Sequence, residues 1–151
     1  MALPAPLLTC TPAPPPGVVG SLSHSRDLAV AALGRASDHR ALGLDIELDT
    51  PLDPGLWDAI ATPPERAAWP DPAGHAPKRL FSVKESAFKA WFLAGGGRIL
   101  EFEEVAVQFD EAGPDRASWR VVRQPAPAVP IIGRWCRWGG HHWSFARVAA
   151  L

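Results

Sequence analysis

A chain of 151 residues, 47% of them hydrophobic, has material for one core of ordinary domain size, which excludes disorder throughout. Its 15 basic and 16 acidic residues leave a formal charge of −1, so no global field argues for nucleic acid or an anionic membrane, and any anion site must be local. Cys10 and Cys136 are too few for a disulfide framework, no apolar run approaches the roughly 20 residues of a membrane helix, and the start lacks the basic region of a signal peptide, which together point to the cytoplasm.

Residues 1 to 17 carry Pro4, Pro6, Pro12, Pro14, Pro15 and Pro16, which preclude a helix and read as an extended arm. Two β-like runs, Val18 to Ser23 and Leu28 to Leu33, flank the turn-forming Ser25-Arg26-Asp27 and predict a hairpin. Ser23 and His24 then stand at the end of its first strand, where they can face a ligand; from the residues alone His24 reads more simply as a turn residue bonded to local backbone. The segment Ala41 to Leu48 predicts a strand in which Asp45 and Glu47 share one face and Leu44, Ile46 and Leu48 the other. Two adjacent carboxylates are either a solvated edge or the oxygen ligands of a divalent metal completed by a third carboxylate, and Mg²⁺ suits such a set.

Pro54 to Ile60 starts a helix that Pro63-Pro64 is expected to interrupt, with a further turn over Glu65 to Trp69. Arg79 to Phe92 predicts the main helix. At roughly 100° per residue, Leu80, Phe81, Val83, Ala87, Phe88, Trp91 and Phe92 form an apolar arc, with Ser82, Ser86 and Lys89 opposite. Lys84 falls near the middle of that arc, where an ammonium needs a negative partner or a route to water. The chain writes twelve of its cations as Arg and three as Lys, and Lys78, Lys84 and Lys89 all lie in or beside this helix. A compact ammonium acts as a point charge toward phosphate, though chance clustering gives the same count.

Gly95-Gly96-Gly97 terminates the helix. Glu101 to Phe109, Ser118 to Val122, Trp135 to Trp138 and Trp143 to Val148 predict strands of an antiparallel sheet, the last two joined at Gly139-Gly140. The whole is an α+β arrangement. The Trp/Arg-rich stretch from Arg134 to Trp143 suits nucleic acid less well than a hairpin with one face on the helix and Arg and His exposed, and His141-His142 is a poor metal pair because neighbours on a strand point to opposite faces.

Three segments, GVVGSLSHS at Gly17 to Ser25, GLDIE at Gly43 to Glu47 and FSVKESAFKAW at Phe81 to Trp91, resemble the 4′-phosphopantetheinyl transferase superfamily, particularly its larger members serving siderophore and nonribosomal peptide synthesis. The resemblance implies transfer of the phosphopantetheine arm of coenzyme A to a serine of an apo acyl, aryl or peptidyl carrier protein, releasing adenosine 3′,5′-bisphosphate. It implies Asp45, Glu47 and Glu85 around Mg²⁺, Glu85 also as base, and Lys84 and Lys89 toward coenzyme A, with Lys89 at the pyrophosphate and in catalysis. It makes Ser23 and His24 contacts of the coenzyme A phosphates, reversing the plainer reading of His24.

Members of this type have two similar halves, the first containing a helix with basic residues. Here the arm and hairpin, residues 1–42, are the expected remnant of that half, and residues 43–151 a nearly complete second half, an antiparallel sheet packed on a long helix. The expectation is an N-terminally truncated member; a misassigned start codon, or a partner that restores the absent surface, would also account for so short a first half. The alternative to an enzyme is a non-catalytic remnant that binds coenzyme A or a carrier protein weakly or not at all.

Overall fold

The computed structural model describes residues 13–71 and 73–151, so the proline-arm reading of residues 1–12, Cys10 included, lies outside it. The hairpin pairs β1 (Val18–Ser25) with β2 (Leu28–Arg35) in antiparallel register through the turn at Arg26, which takes φ 52°. These two strands form a small sheet of their own. β3 (His39–Leu48) begins the second sheet, and its range crosses the expected division after residue 42.

Pro63-Pro64 opens a helix rather than interrupting one. After a 3-10 turn at Pro54–Leu56 and the four-residue α1 (Trp57–Ile60), α2 (Pro63–Ala68) starts on its two prolines, whose missing N–H groups cost nothing in a first turn. Thr62 and Glu65 close it as a capping box. α3 (Ala76–Trp91) likewise starts earlier than expected, because Pro77 fits its first turn. A π-type turn over Phe92–Gly96 ends it, with Gly95 and Gly97 at φ 100° and 70°.

The expected strand from Glu101 is a 3-10 turn, Phe102–Glu104, before β4 (Ala106–Glu111) begins. Glu104 accepts from the Glu101 N–H at 2.8 Å and closes the turn locally, while Phe102 packs on Phe81 and Phe88 with ring centroids 5.5 and 4.9 Å apart. β5 (Arg116–Arg123), β6 (Ile132–Trp138) and β7 (His141–Ala149) follow, giving an antiparallel sheet in the order β3-β7-β6-β5-β4. This is the α+β architecture the pattern implied. The turn joining β6 and β7 uses Gly139 and Gly140, both at positive φ, 60° and 73°.

α3 lies across β3 and β7, and its supposed polar face is its closest contact. Ser82 and Ser86 are both buried. A Cβ at Gly43 would fall 1.8 Å from the Ser86 carbonyl oxygen, so the glycine alone lets strand and helix approach this closely. The Ser86 and Ser144 hydroxyls sit 2.7 Å apart across the seam. On its other side α3 carries Leu80, Val83, Ala87 and Trp91 into the core with Trp57, Ile60, Trp119 and Trp135. Among the described residues no helix is long and apolar enough to cross a membrane.

Candidate active site

β3 and α3 build the site together. Strand alternation sends Asp45 and Glu47 toward the helix, where Glu85 and Lys89 lie one turn apart. Lys89 Nζ donates to the Leu44 carbonyl at 2.7 Å and to Asp45 Oδ1 at 3.2 Å, and reaches the Leu22 carbonyl of the hairpin at 3.5 Å. Asp45 Oδ1 also receives the Ser23 hydroxyl at 3.3 Å. Asp45 Oδ2 is buried and, among the described residues, has no hydrogen-bond partner. Lys78, from the first turn of α3, stands 3.8 Å from Glu47.

The carboxylates of this cluster work against one another. Burial pushes the Asp45 carboxyl above its ordinary range, against the pull of Lys89. Glu47 is pushed up to about 7, first by burial and then by the Asp45 charge, with Lys78 and Lys89 opposing. Glu85 is pushed up to about 7 by burial, then by Asp45, with Lys89 opposing and Glu47 adding to the repulsion. The three carboxyl groups, Asp45 buried and Glu47 and Glu85 half-buried, are close enough to raise one another's pKa, although among the described residues their oxygens do not all come within 4.8 Å of one another.

His24 is exposed on the hairpin, at the position that registers with Ala29. Lys84 departs from its expectation. It lies at 0% exposure in a separate pocket, donating to the Ile60 carbonyl at 2.7 Å, Glu65 Oε2 at 2.8 Å and the Phe102 carbonyl at 2.9 Å. All three ammonium protons are spent there, on Ile60, Glu65 and Phe102 rather than on the carboxylates of β3. Glu65 completes that pocket, accepting from Thr62 through Oε2 and from the Val107 N–H through Oε1 at 2.9 Å. Sequence reasoning missed Glu65 as the partner of Lys84; the Thr62-Pro-Pro-Glu65 capping pattern was its visible sign.

A second cluster was also missed. Among the described residues, the trio whose ligand atoms all lie within 4.8 Å of one another is Asp49, His75 and His142. Both histidines face Asp49 Oδ1, His75 Nδ1 at 2.8 Å and His142 Nε2 at 2.9 Å, although His142 was expected on an exposed face and is at 0% exposure. The Trp135 indole N–H donates to His142 Nδ1 at 3.3 Å, which leaves the ring proton on Nε2, bonded to Asp49. Metal binding at Nε2 needs the opposite tautomer, and Arg137 already stands 3.8 Å from Asp49 Oδ2. Burial keeps His142 neutral by lowering its pKa, despite the pull of Asp49. The trio is a hydrogen-bonded tie between the end of β3, the start of α3 and β7.

Residues 41–146 match the family described as the 4′-phosphopantetheinyl transferase superfamily. The chain is similar to the 4′-phosphopantetheinyl transferase Svp of Streptomyces mobaraensis, 37% identical over 127 residues, covering 81% of this chain and 49% of that protein. It is 38% identical over 99 residues to the transferase Npt of Nocardia iowensis, covering 64% and 44% respectively. Against the transferase PptT of Mycobacterium tuberculosis it is 38% identical over 122 residues, covering 77% and 52%. The chain spans about half the length of these curated relatives.

Proposed function

Because the chain belongs to the 4′-phosphopantetheinyl transferase superfamily, we propose that it moves the 4′-phosphopantetheine arm of coenzyme A onto a serine of an apo acyl, aryl or peptidyl carrier protein, releasing adenosine 3′,5′-bisphosphate. The observation that carries this reading is the burial and mutual repulsion of the Asp45, Glu47 and Glu85 carboxyls beside Lys89, which push Glu47 and Glu85 up to about 7. Asp45, Glu47 and Glu85 would hold Mg²⁺. When bound, the ion supplies withdrawal of charge from the phosphate under attack. Glu85, one turn from Lys89 on α3, is the candidate base for the serine proton, directly or through one water. Lys89 sits beside Asp45 with an ammonium able to turn toward the pyrophosphate, and the exposed His24 imidazole is available to another coenzyme A phosphate. We assign the carrier proteins to siderophore or nonribosomal peptide synthesis and the protein to the cytoplasm, on the sequence resemblance and the scarcity of cysteine.

Incubation with coenzyme A, Mg²⁺ and several apo carrier proteins should add the arm's mass to the carrier serine. A folded protein that modifies none of them overturns the proposal. Asp45→Ala and Glu85→Ala should abolish transfer with little loss of fold, and Lys89→Ala should cut turnover by about 100-fold or more. A second reading, a domain that binds coenzyme A without completing transfer, is favoured by the half-length match to the relatives. Calorimetry with coenzyme A and Mg²⁺ in parallel with the transfer assay separates the two.

A further inference from the structure

Lys78, Glu85 and Lys89 follow one another on α3 at intervals of seven and four, which puts them on one stripe of the helix. The two lysines are about 16 Å apart along its axis, with the carboxyl between them. The stripe faces Asp45 and Glu47 of β3, so each end of the carboxylate cluster has its own ammonium. The two ends differ. At the hairpin end Lys89 is engaged by the Leu44 and Leu22 carbonyls and by Asp45. At the other end Lys78 is half-buried and stands 3.8 Å from Glu47 Oε2, beyond hydrogen-bond reach, so this carboxylate leaves its N–H donors unused. The neighbouring basic groups are already committed: His75 faces Asp49 at 2.8 Å, and the Arg79 guanidinium lies over the Phe109 and Trp135 rings and pairs with Glu111. Among the described residues, Lys78 is the cation at this end with capacity for another anion.

The transfer chemistry gives the two ends different tasks. The acceptor serine oxygen bonds to the phosphorus that carries the pantetheine, and the bond from that phosphorus to the bridging oxygen breaks. Its electron pair leaves with adenosine 3′,5′-bisphosphate, and the serine proton passes to Glu85, directly or through one water. Entering and leaving oxygens stand roughly in line across the phosphorus. With the pyrophosphate toward Lys89 and a further phosphate toward His24, the leaving nucleotide occupies the hairpin end. We propose that the acceptor serine arrives from the Lys78 end, and that Lys78 is a specificity-determining residue for the carrier, pairing with a carboxylate that flanks this serine. The assignment rests on the transferase reading above and adds to it the charge that the carrier must present.

The test compares Lys78→Met, Lys78→Arg and Lys78→Glu in the full chain, against an apo carrier protein with a carboxylate beside its serine and a form of it with lysine at that position. Lys78→Met should raise KM for the carrier about tenfold, the scale of a lost charge pair at an interface, with kcat and KM for coenzyme A little changed. Lys78→Arg should stay close to the parent. Binding of the labelled apo carrier, read by fluorescence anisotropy without turnover, should weaken in Lys78→Met by the same factor. Lys78→Glu should prefer the lysine-bearing carrier, reversing the parent's choice. A raised KM for coenzyme A with carrier binding unaltered makes Lys78 a phosphate contact and overturns the proposal. Unchanged carrier binding and unchanged KM values in Lys78→Met overturn it as well. A parent that binds the carrier but transfers nothing defeats the transferase reading, and the anisotropy comparison then decides Lys78 by itself. A parent that neither binds nor modifies any carrier defeats both.

Discussion

Lys84 and Lys89 lie five positions apart on α3 and perform unrelated tasks. Lys84 is sealed against Glu65 and two carbonyls, whereas Lys89 remains partly exposed beside Asp45. Removing one member of a buried pair strands the other, so Lys84→Met should destabilise the fold by about 3–5 kcal/mol in chemical denaturation. If Lys84→Met unfolds at the parent's denaturant midpoint but loses coenzyme A affinity, the closed pocket is not its setting in solution. The sequence marked Lys84 as an anomaly, since an ammonium on an apolar arc needs a partner, but not where the partner would come from. Glu65 arrives from a helix 19 residues earlier, brought there by tertiary packing. Asp45 and Glu47 were legible because strand alternation is a strict two-residue rule. Asp49, His75 and His142 were not, because three elements must fold before they meet.

Among the elements, the hairpin, β3, α3 and the closing strands follow from apolar periodicity and turn residues, whereas the faces of α3 do not. Ser82 and Ser86 look solvent-facing in a helical projection, yet the close approach allowed by Gly43 buries them against β3 and β7. Gly43→Ala should therefore cost roughly 1–3 kcal/mol, the scale of overpacking, because its Cβ would meet helix backbone that cannot swing aside. Equilibrium unfolding checks this, and a neutral substitution would show that strand and helix stand farther apart. The turn at Phe102–Glu104 was read as strand because it runs directly into the β-like residues up to Phe109, but Phe102 is drawn onto Phe81 and Phe88 and the Glu104 carboxylate closes the turn.

For the whole molecule, the carboxylate cluster couples stability to pH and to a divalent ion. Glu47 and Glu85 have folded pKa values of about 7, above the ordinary 4.5, so the folded state holds protons that the unfolded chain has released between those values. Their contribution to metal-free stability therefore falls as pH rises from about 4.5 to about 7. Mg²⁺ competes with those protons, so the increase in Tm on adding Mg²⁺ should be small at pH 6 and larger at pH 8. Thermal melts with and without the ion, compared at each pH, isolate this difference from other titrating groups. An increase independent of pH would mean that the ion does not bind at these carboxylates. Every lysine of the chain is paired with a carboxylate, Lys78 with Glu47, Lys84 with Glu65 and Lys89 with Asp45, all on one helix. An amine-directed acylating reagent therefore finds its only lysine targets along α3, and the order in which they are modified becomes a chemical record of how that helix opens, with Lys84 the last to be marked.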